Sequence, residues 1–138
     1  MNLTTQITDN ITELLVKILE FTEHRQKVLT ENINKMSIAG YEPRDIDVDG
    51  FSEIMNNAIA EHINSKRLVL YDNETISFGM AGSLKIKTVP DLYAKELLGS
   101  NPDEYLKLQI EKLMENTLNQ KVAAELLKQK KTVESHQD

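Results

Sequence analysis

The 138-residue sequence contains no cysteine. That excludes disulfides, thiolate zinc sites and a cysteine nucleophile, and it leaves the redox compartment open. Aromatic residues make up only 5% of the chain, four Tyr and three Phe without a Trp, so the candidate core is mainly aliphatic. Positive charge is also in deficit. Sixteen basic residues against 22 acidic ones give a formal net charge of −6, which repels a phosphate backbone and excludes nucleic acid as a partner class. No apolar run approaches the length that spans a bilayer, so membrane insertion is not expected. The opening Met-Asn-Leu-Thr-Thr-Gln-Ile-Thr-Asp-Asn lacks a basic n-region and an apolar h-region, so export, if it occurs, proceeds without a cleaved Sec signal. Dinucleotide, Walker and nucleophile-elbow glycine motifs are missing, and no Ser/His/Asp arrangement follows from spacing. The chain is read as a non-enzyme with no cofactor.

What the sequence does have is helix periodicity. Ile7, Ile11, Leu14, Leu15, Ile18, Leu19, Phe21, Val28, Leu29, Ile33 and Met36 recur at spacings of three and four and predict one long helix over 7–38. Asp9 and Asn10 are its candidate N-caps, and Gly40 with Pro43 supplies the stop. A turn over 39–50 leads into a variable middle, 51–101. There Phe51, Ile54, Met55, Ala58, Ile59 and Ile63 predict a short helix to about Lys66, and the β-formers of 67–71, 75–78 and 83–89 suggest a small hairpin. After Gly99 and Pro102, a second long helix over 102–131 carries Leu106, Ile110, Leu113, Met114, Leu118, Val122, Ala123, Leu126 and Leu127, before a polar tail at 132–138. The fold class expected is mainly α, a single unit whose terminal helices pair as a coiled-coil-like bundle. Neither long helix can bury its stripe alone, so each is expected to pack mainly against neighbours, with the isolated chain only partly ordered.

The stretch Asp45-Ile-Asp-Val-Asp-Gly50 reads as the first half of a calcium-binding EF-hand loop. Its eighth and twelfth positions are Ser52 and Asn56, so the aliphatic contact and the bidentate carboxylate are missing, and an acidic turn is the better reading. His24, His62 and His136 lack the spacing that puts two ligands on one helical face. Met36, Met55 and Met114 fall on apolar stripes and read as core or interface, and Lys128, Lys130 and Lys131 as a solvated helix end.

Arg25-Gln-Lys-Val-Leu-Thr-Glu-Asn-Ile33 followed by Gly40-Tyr-Glu-Pro-Arg-Asp-Ile-Asp47 resembles the N-terminal signature of the flagellar basal-body rod proteins, in particular the proximal rod (FlgB) family. Arg25, Gln26, Val28, Leu29, Asn32, Ile33, Gly40, Tyr41, Arg44, Asp45, Ile46 and Asp47 match it without a gap. Lys112-Leu-Met-Glu-Asn-Thr-Leu118 looks like the family's second conserved helix, continued by Ala123, Ala124, Leu126 and Leu127. The chain departs from the pattern at Lys35-Met-Ser-Ile-Ala39 and at Asn101-Pro-Asp-Glu104.

The resemblance implies a structural subunit of the periplasmic rod, exported by the flagellar type III apparatus and self-associating in a helical assembly. Its implied partners are other rod proteins, the hook-basal body adaptor protein FliE and the export-gate base. The residues expected to carry packing and assembly are Ile18, Asn32, Ile33, Gly40, Tyr41, Arg44, Asp45, Asn116 and Leu118, with Ile18 and Leu118 in a helix-helix seam. The rival reading is a soluble acidic helical adaptor or secretion chaperone that holds a partner's helix in a groove, and a calcium-binding helix-loop-helix ranks third.

Overall fold

The computed structural model describes residues 3–80 and 83–135, and within that span the side chains of residues 10–80 and 83–132. It is mainly helical, with two small two-stranded antiparallel sheets. In chain order the elements are α1 (Leu3–Asn34), β1 (Arg44–Asp45), α2 (Val48–Ser65), β2 (Ile76–Phe78), β3 (Leu84–Ile86), β4 (Val89–Pro90), α3 (Leu92–Ser100) and α4 (Pro102–Ser135). The expected hairpin is β2 and β3, in register Ile76 with Ile86 and Phe78 with Leu84. Residues 67–71, also read as β-forming, are in no strand. His136 and the end of the expected tail lie outside the described residues.

Helix α1 begins at Leu3, ahead of the expected start, so Asp9 and Asn10 are not its caps. Asn10 reaches instead to the end of α2, where its amide donates to the Lys66 carbonyl at 3.1 Å and sits 3.4 Å from His62 Nδ1. The other end of α1 also differs from expectation. Regular helix stops at Asn34, not at residue 38, and the chain unwinds through turn bonds from Met36 N to Ile33 O and from Ile38 N to Lys35 O. Gly40 then takes φ +75, a left-handed conformation that only glycine adopts without strain.

The core sits between α1, α2 and the hairpin. Leu14 and Phe21 of α1 pack with Phe51, Ile54, Met55 and Ala58 of α2 and with Ile76 and Leu84 of the hairpin. Phe21 and Phe51 stack with ring centroids 3.9 Å apart. Thus α1 buries its stripe within the chain, and the expectation that both terminal helices bury theirs mainly against neighbours does not describe it. Helix α4 differs: its buried positions are Tyr105, Gln109, Asn116 and Ala123, while Ile110, Met114, Leu118, Val122 and Leu126 are each at least 44% exposed. These five recur every fourth residue and draw an apolar ridge that winds around the outside of the helix.

Candidate assembly site

Asn32 is the last full turn of α1 and is completely buried. Its side chain behaves as a one-residue strand: Oδ1 accepts from Arg44 N at 3.1 Å, and Nδ2 donates to Arg44 O at 2.7 Å. Oδ1 also accepts from the Tyr41 hydroxyl at 2.8 Å, and Nδ2 donates to Gln109 Oε1 at 3.0 Å. The Asn32 carbonyl accepts from the Tyr105 hydroxyl at 2.8 Å. Burial first, then the nearby Tyr41 and Asp91, push the Tyr105 hydroxyl up to about 12, so it stays a donor. A buried amide that uses both of its ends in this way holds the returning chain in register against α1.

One strand position on, Asp45 lies beneath α1 and α4 and takes a bidentate bond from Arg25, Nε to Oδ1 at 3.1 Å and Nη2 to Oδ2 at 3.2 Å. Lys112 of α4 donates to Asp45 Oδ2 at 2.9 Å and to Asp91 Oδ2 at 2.7 Å. Asp91 in turn caps α3 by accepting from Ala94 N at 3.0 Å. Burial pushes the Asp45 carboxyl up, but the hydrogen bonds from Arg25 and Lys112 outweigh it and hold the carboxyl below its ordinary range. For Lys112, burial acts downward and is outweighed by bonds to Asp91 and Asp45, which raise it. Two carboxylates and two cations therefore lock α1, α3, α4 and the β1–β4 pair together.

The three alternating aspartates have three separate duties. Asp45 is the centre of this ion cluster, Asp47 caps α2 by accepting from Gly50 N at 2.9 Å, and Asp49 lies in the first turn of α2, where a carboxylate complements the helix dipole. Asp47 Oδ2 also accepts from Thr75 Oγ1 at 3.0 Å. Gly50 is needed for space, because a Cβ there would fall on Asp47 Oδ2 and Asn73 Nδ2.

The structure thus brings together Asn32, Tyr41, Arg44 and Asp45 around the turn containing Gly40. Ile33 is half-buried beside Asn32. Asn116 lies farther along α4, buried, donating to the Thr22 carbonyl at 2.7 Å. Ile18 and Leu118 are not in the polar node. Both line an open apolar groove between α1, α2 and α4, Ile18 half-buried against the core and Leu118 63% exposed. Tyr105, Gln109, Lys112 and Asp91 belong to the node although none was among the expected packing residues. Two of them had a signal, Lys112 as the start of the Lys112–Leu118 resemblance and Asp91 as a capping residue before a short helical run. Compared with protein-family models, with characterised proteins and with solved structures, the chain matches none of them.

Proposed function

We propose that the protein is a structural subunit of the bacterial flagellar basal-body rod, at its proximal end. The observation that supports this reading is the convergence of the signature residues. Arg25, Asn32, Tyr41, Arg44 and Asp45, five of the polar residues through which the chain resembles rod proteins, meet at the exit of α1 in two hydrogen-bonded sets, Asn32 with Tyr41 and the Arg44 backbone and Arg25 with Asp45, which are adjacent along β1. In this reading α1 and α4 pair as a coiled-coil-like bundle, and the apolar ridge of α4 meets neighbouring subunits through head-to-tail contacts that do not close, as a filament requires. Other rod proteins, the adaptor protein FliE and the export-gate base are the partners, the subunit lies in the periplasmic rod after type III export, and its role is torque transmission without catalysis.

Deleting the gene in its own bacterium and inspecting basal bodies by electron microscopy tests the proposal. The expected result is membrane rings without rod or hook, restored by the wild-type gene; complete rods and hooks in the deletion strain would overturn it. The second reading, a soluble acidic helical adaptor or secretion chaperone, draws on the open groove beside α4.

A further inference from the structure

The groove between α1, α2 and α4 encloses about 490 Å³. Ile18 and Phe21 form its floor, Met55 and Ile59 one wall, Leu118 and Val122 the other. Along α2 its lining runs from Val48 to Ile59, which at the helical rise is roughly 16 Å, or about three turns. The buried polar groups inside are already engaged: Asn116 donates to the Thr22 carbonyl, the Thr22 hydroxyl donates to the Ile18 carbonyl, and Arg25 holds Asp45, while the exposed Ser52, Asn56 and Asn119 line the mouth. The depth of the groove is left with hydrocarbon presented at helical spacing, so it suits the apolar face of a helix with anchors at i, i+3 or i+4, and i+7.

The charge around the groove narrows the choice of occupant. By helical phase, Asp49 and Glu53 flank its α2 wall and Glu111 and Glu115 flank its α4 wall, and all four are exposed. Of the cations at the same level, Lys112 is turned inward onto Asp45 and Asp91, and Arg25 holds Asp45 and also reaches Glu115 at 3.6 Å, so Asp49, Glu53 and Glu111 are the rim carboxylates left without a cation among the described residues. One end of the groove is therefore negative on both sides. A second copy of this chain fits less well, since its own ridge on α4 is flanked by both signs, Glu111 and Glu125 but also Lys107 and Lys121, and does not present the uniform positive charge that complements an acidic rim.

We propose that this groove docks a basic amphipathic helix of about three turns from another protein, its apolar face against Ile18, Met55 and Leu118 and its lysines or arginines against the acidic rim. The proposal stands on the groove and its rim and does not depend on the rod reading.

The test uses the full-length chain and two synthetic helical peptides of about fourteen residues with leucines at the anchor spacing, one flanked by lysines and one by glutamates. Binding is followed by fluorescence anisotropy near physiological salt. The lysine peptide should bind at least about tenfold more tightly than the glutamate peptide. Leu118→Asn and Val122→Ser, at positions more than half exposed in the free chain, should weaken it by about tenfold with melting unchanged. Glu53→Lys combined with Glu111→Lys should reverse the peptide preference. Failure of both peptides to bind, equal binding of the two, or lysine-peptide binding unaffected by Leu118→Asn would overturn the proposal. Sedimentation of the wild-type chain as a dimer that Leu118→Asn dissolves would overturn it in favour of a second copy.

Discussion

Lys66 ends α2 with φ 61, the conformation usually left to glycine, and its N–H bonds to the His62 carbonyl at 3.0 Å. Lys66→Gly should relieve that strain and raise stability by about 1 kcal/mol, read as a higher melting temperature. Gly40 is the converse case. A Cβ there would meet nothing within 4 Å, so the expected cost of Gly40→Ala, about 1 kcal/mol, comes from backbone conformation alone. A large loss in Lys66→Gly would show that the lysine side chain matters more than its backbone. The Asp45 cluster makes a pH prediction. Its folded carboxyl titrates below the ordinary 3.8, so its stabilisation is complete above that pH and is lost as pH falls through the depressed value. Lys112 is the mirror: raised above 10.5, it stabilises fully below that pH and loses its contribution as pH rises through the raised value. Asp45→Asn leaves Arg25 and Lys112 underpaired and should cost about 3 kcal/mol at neutral pH. Urea melts of both proteins between neutral and acid pH check this, since the gap between them must narrow on the acid side.

Among the elements, α1 was legible because its apolar spacing matches the face it buries, whereas α4 was legible as a helix but not in orientation. Its apolar ridge suggested a buried stripe, yet the side turned inward carries Tyr105, Gln109, Lys112 and Asn116, which no hydrophobic period reveals. The β1–β4 pair, two residues to a strand, has no alternation to read, and α3 is too short to stand out from the middle segment. The α1 boundaries moved because capping residues inside a helix look the same in sequence as those that start one. This difference between the helices can be tested at the seam expected from Ile18 and Leu118. Ile18→Lys should destabilise the isolated chain by about 2 kcal/mol, because it puts a charge against the core. Leu118→Lys should change stability by less than about 0.5 kcal/mol, because the side chain is already 63% exposed. Equal losses in chemical denaturation would mean that Leu118 is buried within the free chain.

For the whole molecule, the structure places its hydrophobic core between α1, α2 and the hairpin, docks α4 on α1 through buried polar side chains and leaves an apolar ridge exposed along α4. In the rod reading that surface is covered only on assembly, so Leu118→Lys should leave folding and export intact and stop the structure before the distal rod. The proposal that this chain is a rod subunit is tested by quantitative mass spectrometry of purified hook-basal bodies from the protein's own bacterium. The expected result is the chain in several copies per basal body, surviving the detergent and acid washes that strip filaments. Basal bodies with complete rods that lack the chain, while it is plentiful in the cytoplasm, would contradict it.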